Sequence, residues 1–478
     1  MASAEYKHGV VFTPASVAAG KQAITVKDLE QQGIAYIMVT WVDFTMQIRL
    51  RVIPISYFKK MLQSSRPGVA IAKASLGLVA LTMAEGFSPV GEFHYALDMS
   101  TLRICPYKPG FANVFGWLQE KAPRTLSDGR FSIDTTMCPR GLLRSALNRA
   151  RDEAGVEFLC GFEPEFMLLK STTNPKEGVN YHHFCHSSGL LAGSKEETIL
   201  REVVDSLIDG GVEVTLYHAE AAPGQYEVVT GPLQPLEAAD AYIYSRMTIV
   251  NVAAKHGMHA TFAPRVFMNS AGSGSHIHIS AHSLKGEEKT AGQLSRTESS
   301  FLSGLLKELP AIVAMTLPTT ASYARVGDDL WSGGTWVSWG TEHRETPIRL
   351  SNAASPKSRN FEMRFIDGTS NPYLVLALIL SAGTQGVQRG DVLTMKECDP
   401  STTPAHMSPG ERNEHGITER MPLTWASARE TFASSAFIKQ TLGESATAFL
   451  SINKTLNDVL QVQGESEAET LTRLVEMF

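Results

Sequence analysis

The sequence predicts an α+β protein in which a small, β-rich N-terminal domain precedes a larger domain that mixes helices and strands. Apolar and polar residues alternate over residues 33–54, which is typical of strands. Residues 139–155, in contrast, place leucines and alanines on one helical face, directly before a buried strand. We therefore expect one domain over residues 1–121 and a second over residues 122–478.

Each predicted element follows from a local pattern. The alternating N-terminal segment predicts two strands around residues 43–47, and the polar residues 123–136 predict a linker. A proline precedes the first helix of the larger domain, and a glycine follows it. Ser194 and Glu197 predict a capping box for a helix that runs through residue 208. The other expected elements are strands over residues 156–169, 212–220, 226–229 and 258–263, and a long helix over residues 236–256.

Composition excludes several classes of function. The chain has 478 residues, of which 43% are hydrophobic and 19% charged, and its net charge is −6, so neither nucleic acid nor an anionic membrane is expected as a partner. The five cysteines form no CxxC pair, which fits reduced thiols in the cytoplasm. We expect no signal peptide, and the longest apolar run, residues 373–380, is too short to cross a bilayer.

Two glutamates on the strand at residues 156–169 are the strongest chemical signal. Side chains alternate along a strand, so Glu163 and Glu165 point to the same side. Buried carboxylates are unfavourable unless a cation lies between them, and Mg²⁺ or Mn²⁺ prefers such oxygen ligands. A salt bridge at the end of the strand is the alternative interpretation.

Four more segments carry residues of this kind. A Pro-Gly turn would bring Glu220 and Glu227 together, although a solvated hairpin is the alternative. The other segments contribute, in chain order, His276, His278 and Ser280 behind a glycine loop, then Arg325, Arg344 and Arg349, and finally Glu362 and Arg364. Acids, histidine and arginines together suit a polyphosphate held by divalent cations. The segment from His182 to His186 is too crowded for one tetrahedral zinc site, so a polar loop is favoured there.

These motifs, in this order, resemble those of the glutamine synthetase superfamily along nearly the whole chain. The matching motifs are VD with VIP in residues 42–54, EPEF from Glu163, HAEAAPGQYE ending at Glu227, GSGSHIH ending at His278, PTTASYAR ending at Arg325, EMR ending at Arg364, and NPYL from Asn371. The resemblance implies a β-grasp-like N-terminal domain and a glutamine-synthetase-type catalytic αβ domain. It also implies a homo-oligomer, usually a double-ring dodecamer, with each active site between neighbouring subunits.

The resemblance further implies a role for each residue in an ATP-dependent ligase of nitrogen metabolism that uses Mg²⁺ or Mn²⁺. One metal would be held by Glu165, Glu220 and Glu227, and the other by Glu163, His276 and Glu362. Glutamate would be held by Gly272, Arg325 and Arg364, and ATP by His278, Ser280, Arg344, Arg349 and Lys357, with Arg344 also acting in catalysis. Asp43 would reach the nitrogen substrate in the neighbouring subunit.

One departure concerns the flap that follows SYAR. Ammonia-using members carry a glutamate there, and our alignment places Trp331 at that position, with Trp336, Asp328 or Asp329 as alternatives. An indole suits an alkylated amine through apolar and cation–π contact. The sequence therefore predicts a ligase that forms γ-glutamylamides from glutamate and an organic amine. An ordinary ammonia-using glutamine synthetase and a non-catalytic scaffold or regulator are the alternatives.

Overall fold

A computed structural model describes residues 9–19, 24–126, 128–174, 176–180, 186–398 and 401–478. The helices are α1 Pro14–Ala19, α2 Val26–Gln31, α3 Ile55–Met61, α4 Ala74–Gly77, α5 Pro139–Arg149, α6 Lys195–Asp209, α7 Pro235–Lys255, α8 Arg296–Thr316, α9 Thr320–Arg325, α10 Pro372–Arg389, α11 Pro409–His415, α12 Trp425–Ser434, α13 Ala436–Leu442, α14 Glu444–Leu460 and α15 Glu467–Met477.

A 3₁₀ helix covers Met99–Thr101 and a π-helix covers Ala150–Ala154, and the other regular elements are strands. They are β1 Tyr36–Val42, β2 Ile48–Pro54, β3 Gly68–Ala72, β4 Leu78–Val79, β5 Thr82–Met83, β6 Glu92–Leu97, β7 Arg103–Ile104, β8 Phe111–Val114, β9 Gly116–Thr125, β10 Phe131–Asp134, β11 Val156–Ser171, β12 Glu177–Gly178, β13 Val214–Ala219, β14 Gln225–Thr230, β15 His259–Thr261, β16 Ser275–Ser283, β17 Trp339–Thr341, β18 Ile348–Ser351 and β19 Asn360–Met363.

The N-terminal part is built from two four-stranded sheets, with strand orders β2-β1-β8-β7 and β10-β9-β6-β3. The predicted hairpin of β1 and β2 is confirmed, and its antiparallel register runs from Tyr36 opposite Pro54 to Val42 opposite Ile48. Leu29, Phe58 and other apolar residues of these sheets and their helices form a separate hydrophobic cluster. The expected N-terminal sheet domain is therefore present.

The polar segment at residues 123–136 is not a linker, so that prediction was wrong. β9 continues to Thr125, and β10 pairs with it antiparallel, with Phe131 opposite Thr125. Polar residues are compatible with an edge strand that has one or both faces in solvent, and a composition-based interpretation cannot separate such a strand from a linker. The domain boundary between residues 121 and 122 stays a prediction.

A nine-stranded sheet is the framework of the larger part. Its path is β13-β14-β11-β16-β19-β18-β17, and β12 and β15 also pair with β11. β11 is buried along most of its length, and α7, α8 and α10 contribute most of their residues to the same large core. Each strand and helix predicted over residues 139–263 is confirmed to within a few residues. The mixed α+β fold class is confirmed.

Two further predictions concern membrane-spanning segments and thiols. None of the helices in the described ranges combines the length and apolarity that crossing a membrane needs. Cys105, Cys138, Cys160 and Cys398 are buried and free of disulfides, as expected for reduced thiols. The remaining cysteine, Cys185, lies outside the described residues.

Candidate active site

Adjacent strands of the nine-stranded sheet bring the predicted acids and histidines to one face. The cross-strand pairs, in order across the sheet, are Glu227 with Glu165, Glu163 with His276, and His278 with Glu362. Directly opposite residues share a face, as do residues two apart on one strand. The side chains therefore form a continuous row of metal-ligating groups across β14, β11, β16 and β19.

Glu163 lies at the centre of this row. Its Oε1 is 2.9 Å from Nε2 of His278, and its Oε2 is 3.6 Å from Nδ1 of His276. Nδ1 of His276 also lies 3.5 Å from Oε1 of Glu362 and 3.9 Å from Oε1 of Glu165. The predicted set of Glu163, His276 and Glu362 is thus close together. His278, predicted for ATP, lies in the same group.

Glu165 and Glu227 form the second half of the row. Oε2 of Glu165 accepts hydrogen bonds from Nε2 of Gln225 at 2.8 Å and from the backbone N–H of Gly274 at 2.9 Å. Burial, together with the charges of Glu220 and Glu227, raises the pKa of Glu165 to about 8. Burial and neighbouring glutamates likewise raise the pKa of Glu227 to about 7. These carboxylates are crowded, and a bound cation would relieve their repulsion.

Basic groups stabilise the charged form of the other acids. Burial alone would raise the pKa of Glu362, but Arg364, His276 and His278 outweigh it and lower this pKa to about 2. His278 and His276 also hold the pKa of Glu163 well below its usual value, against the effect of burial. One half of the row is therefore anionic at neutral pH, and the other half retains protons that a metal ion would displace.

Donor atoms close enough to share one ion fall into three groups within the described chain. They are Glu163, Glu227 and His276; Glu163, His278 and Glu362; and His186, His218 and Glu220. Carboxylate oxygens with imidazole nitrogen suit Mg²⁺ or Mn²⁺. The buried Nε2 of His276 has no hydrogen-bond partner in the described structure. The residues present therefore fit divalent metals, with the donors grouped differently from the sequence prediction.

The crowded histidine segment is described only in part, and its one described histidine belongs to the third donor group. His182 and His183 lie outside the described residues. His186 is described, and its Nδ1 lies 3.2 Å from Oε1 of Glu220. His218, which the sequence analysis assigned no role, has its Nε2 3.2 Å from Oε1 of Glu227, and this contact raises the pKa of His218 to about 9.

Two of the predicted arginines form ion pairs with Glu362, and a third contacts the backbone next to it. Nη1 of Arg349 is 3.0 Å from Oε2 of Glu362, and Arg364 forms an ion pair with the other oxygen. Nη2 of Arg325 donates to the carbonyl oxygens of Arg364 and Ile366, each at 3.0 Å. The Nε groups of Arg325 and Arg349 are buried and have no partner among the described residues. Two donors are thus available for anionic substrate groups.

Gly272 positions this arginine shell next to the acids. A Cβ added at Gly272 would lie 2.5 Å from Cγ of Arg325, so a larger residue there would displace the guanidinium. The carbonyl of Gly272 accepts a hydrogen bond at 3.1 Å from Nε2 of Gln225, which also holds Glu165. Gly272, which was predicted to bind glutamate, therefore lies in contact with Arg325 on one side and with Gln225, the partner of Glu165, on the other.

The flap lies between α9 and β17, and we define it as residues 327–335. Trp331 is 72% exposed, and its backbone has a φ of +52°. Its carbonyl accepts a hydrogen bond at 2.7 Å from Nη2 of Arg364, whose Nη1 contacts Glu362. The backbone that carries the exposed indole is therefore linked through Arg364 to Glu362.

The other candidates for the flap position have structural contacts. Asp328 accepts hydrogen bonds from the backbone and hydroxyl of Thr335 at 3.0 and 2.8 Å, and from Arg420 at 2.6 Å. The ring of Trp336 lies 4.2 Å from the guanidinium carbon of Arg412 and 5.0 Å from that of Arg420. Asp329 lies 3.2 Å from Nε2 of His406.

Several predicted residues lie outside this cluster of contacts. Asp43 is buried at the β1–β2 turn, where its carboxylate accepts from Thr45, Gln47 and Arg49. Arg344 is exposed between β17 and β18, and Lys357 is exposed between β18 and β19. Ser280 lies on β16, and its hydroxyl is 2.8 Å from Nε2 of His282.

Sequence reasoning missed some residues that support the site. Gln225 was part of the PGQYE motif, and its amide holds Glu165. Because Gln225 lies between Glu220 and Glu227 in the sequence, its role in holding a neighbouring carboxylate could have been predicted. Glu345 is 7% exposed, and its Oε2 accepts the backbone N–H of Asp329 at 3.1 Å. No sequence signal identified Glu345, because its contact joins segments that only the fold brings together.

Comparison with known proteins agrees with this geometry. A family model described as "Glutamine synthetase, catalytic domain" matches residues 136–468. Protein FluG of Emericella nidulans is 33% identical over 419 residues, covering 86% of this chain and 45% of that protein. The chain thus spans about half the length of this relative.

Other similar proteins are named as amine-using ligases. The γ-glutamylpolyamine synthetase GlnA3 of Streptomyces coelicolor is 28% identical over 434 residues, covering 87% of this chain and 88% of that protein. The glutamate–isopropylamine ligase of a Pseudomonas species is 29% identical over 392 residues, covering 77% and 81%. The solved structure titled "GmaS/ADP complex-Conformation 1" matches with a TM-score of 0.73 at 22% identity, over 91% of this chain and 96% of that one. This structural similarity supports the fold.

Proposed function

Because this chain belongs to the glutamine synthetase family, and is therefore a glutamine synthetase-like ligase, we propose that it couples the γ-carboxylate of glutamate to an organic amine at the expense of ATP. The observation that carries this proposal is the exposed indole of Trp331, whose backbone carbonyl is bound by Arg364, the partner of Glu362. Two relatives, one named as a γ-glutamylpolyamine synthetase and the other as a glutamate–isopropylamine ligase, support the same substrate class.

A carboxylate resists attack by amines, so the reaction first needs activation as an acyl phosphate. Divalent cations, when bound, would neutralise the charge on the transferring phosphoryl group. Glu165, Glu220 and Glu227 would hold one cation, and Glu163, His276 and Glu362 the other. The close approach of His278 to Glu163 adds one more possible ligand.

The arginines would orient the two anionic substrates. The unpartnered Nε of Arg325 would hold a carboxylate of glutamate together with Arg364 and the Gly272 backbone. Arg344 and the unpartnered Nε of Arg349 would contact the phosphates. The nucleotide would lie along His278, Ser280 and Lys357.

The amine requires an apolar and cationic subsite. An alkylammonium ion gains both apolar contact and cation–π attraction at an exposed indole, whereas ammonium gains little. Leu330, next to Trp331, is also exposed, which adds apolar surface. We propose that Trp331, and neither Trp336 nor the aspartates, carries the amine preference.

We also propose a ring oligomer in which Asp43 completes the site of a neighbouring subunit. Asp43 keeps a fixed position because the β1–β2 turn and Arg49 hold its carboxylate. Its backbone carbonyl accepts from Asn371, which begins the NPYL motif. The double-ring dodecamer and a cytoplasmic location belong to the same proposal.

Phosphate release from ATP tests the proposal. The protein is incubated with Mg²⁺, ATP and glutamate, and phosphate is measured with ammonia, methylamine, longer alkylamines or polyamines. We expect release to depend on glutamate and to be fastest with an organic amine. No glutamate-dependent release with any nitrogen substrate would contradict ligase function on glutamate and favour the scaffold alternative.

An ammonia-using glutamine synthetase is the second candidate. The observation that favours it is Asp329, a carboxylate on the flap that lies 3.2 Å from an exposed histidine and could approach an ammonium ion. Faster phosphate release with ammonia than with any alkylamine in the same assay would favour this candidate over the first.

A further inference from the structure

A buried carboxylate beneath the flap is not used by the functions proposed above. Glu345 belongs to the segment between β17 and β18, and its side chain extends beneath the flap. Only 7% of the residue is exposed. A buried glutamate that is neither a metal ligand nor part of an ion pair needs a reason for its position.

One oxygen of Glu345 fixes the flap backbone. Oε2 accepts the N–H of Asp329 at 3.1 Å. Burial raises the pKa of Glu345, and the backbone N–H groups of Trp331 and Asp329 act against this shift. Asp329 and Trp331 both have left-handed backbone conformations, with φ of +64° and +52°. Such conformations need support when the residue is not glycine. Glu345 therefore lies directly against the residue that carries the indole.

The second oxygen has no partner. Oε1 of Glu345 is buried and receives no hydrogen bond from any residue in the described parts of the chain. The bond from Asp329 to Oε2 limits rotation of the carboxylate, so Oε1 stays close to the flap. An unpartnered buried acceptor of this kind needs a donor, and a cationic N–H group is the donor that a carboxylate binds most strongly.

We propose that Oε1 of Glu345 binds the ammonium group of the amine substrate and accepts its proton before attack. This inference deepens the proposed function and rests on it. The charged groups near Glu345 are Asp329, whose charge opposes ionisation, and Arg364, whose charge favours it. Nδ1 of His343 accepts the backbone N–H of Glu345 and completes this environment.

The proton balance of the step is simple. The alkylammonium transfers one proton to the Glu345 carboxylate and becomes a neutral amine. The amine nitrogen then forms a bond to the acyl carbon, and the bond between that carbon and the phosphate oxygen breaks. The second proton leaves the nitrogen with the departing phosphate, so the products are the amide, hydrogen phosphate and a protonated Glu345, which returns its proton to solvent.

The test compares charged with neutral nitrogen nucleophiles in the full-length protein. Alkylammonium and ammonium must lose a proton before they attack, whereas hydroxylamine is uncharged near neutral pH and needs no such step. In Glu345→Gln we expect kcat/KM for the preferred charged amine to fall by about 100-fold or more, the usual contribution of a general base, and kcat/KM for hydroxylamine to change by less than about fivefold. Glu345→Asp should recover part of the loss with the charged amine.

Asp328→Asn is the matched control. Asp328 also anchors the flap, through Thr335 and Arg420, but it contributes no free oxygen beside Trp331. A loosened flap should slow charged and neutral nucleophiles alike. Equal losses for both nucleophiles in Glu345→Gln would overturn the inference and leave Glu345 a structural residue. If the wild type prefers ammonium to alkylamines, the proposed substrate class fails, and the same comparison with ammonium still decides the role of Glu345.

Discussion

Glu163 and His276 lie directly opposite each other on β11 and β16, with Oε2 of the glutamate 3.6 Å from Nδ1 of the histidine. This pair joins the two halves of the acidic row, because His276 also approaches Glu165 and Glu362. In the proposed function, this pair lies where cations, phosphates and the reacting carboxylate would meet.

The first prediction concerns metal binding. Mg²⁺ or Mn²⁺ should raise the midpoint of thermal unfolding relative to chelator, because ligation by the native state alone stabilises it. A metal at one hundred times its Kd contributes about 2.7 kcal/mol. Differential scanning fluorimetry in EDTA and in millimolar metal measures the shift. An unchanged midpoint would count against a shared metal site.

The second prediction concerns pH. The pKa of Glu165 rises from 4.5 to about 8 in the folded protein, so the folded state retains a proton that the unfolded state loses above pH 4.5. The free energy of unfolding of the metal-free protein should therefore fall as pH rises toward 8. His218 and His278, both raised from 6.5 to about 9, contribute in the same direction above pH 6.5.

Metal ions should act in the opposite way. They compete with the proton on Glu165, so the rise in unfolding midpoint caused by Mg²⁺ should be larger at pH 8 than at pH 6. Thermal melts at the two pH values, each with EDTA and with Mg²⁺, measure both effects. A Mg²⁺ shift that is larger at pH 6 would contradict the charge assignment.

The third prediction concerns the acids themselves. Glu165→Ala and Glu362→Ala should each abolish glutamate-dependent ATP turnover, because each removes a carboxylate from the row. Glu157→Ala is the matched control, since Glu157 lies on the same strand and face as Glu163, opposite His282 at the other end. The control should keep near wild-type turnover. Normal turnover in Glu165→Ala would exclude its role in metal binding.

Sequence reasoning predicted the parts of the site that depend on local periodicity. Two residues apart on a strand, Glu163 and Glu165 had to share a face, and β11 confirms the strand that carries them. The turn between Glu220 and Glu227 was also predictable, because Pro-Gly favours a reversal. The order of the motifs along the chain then indicated the glutamine synthetase family, and the match to that family's model confirmed it.

Cross-strand register and long-range contacts could not be predicted. The register of the strands places His278 opposite Glu362, with its Nε2 2.9 Å from Glu163. Only the folded sheet therefore shows that His278 lies among the acids. Glu345 reaches Asp329 across sixteen residues of an irregular segment, and no period describes that contact. The polar β9–β10 pair was taken for a linker because composition alone does not reveal pairing.

The fourth prediction concerns the oligomer. If Asp43 acts in a neighbouring site, mixing Asp43→Ala chains with Arg344→Ala chains should restore part of the activity, because some hybrid sites contain both native residues. Co-expression with two tags and purification of mixed assemblies provides the sample. Mixed assemblies as inactive as either parent would exclude a site shared in this way.

The fifth prediction concerns the flap. Trp331→Glu should move preference toward ammonia, because it replaces apolar and cation–π contact with a point charge. Each buried methylene contributes about 0.8 kcal/mol, and cation–π attraction about 0.5–2 kcal/mol. The loss of alkylamine preference should therefore be about tenfold to a hundredfold in kcat/KM. Trp331→Phe, which keeps an aromatic face, should retain most of the preference.

A direct competition tests the central claim, that the protein is a ligase for glutamate and an organic amine. Wild-type protein with ATP, Mg²⁺ and glutamate is given ammonium and ethylammonium at equal concentration, and mass spectrometry quantifies both products in the initial phase. The product ratio equals the ratio of the two kcat/KM values. We predict that γ-glutamylethylamide exceeds glutamine by about tenfold or more, from the apolar and cation–π contributions at Trp331. An excess of glutamine would contradict the account.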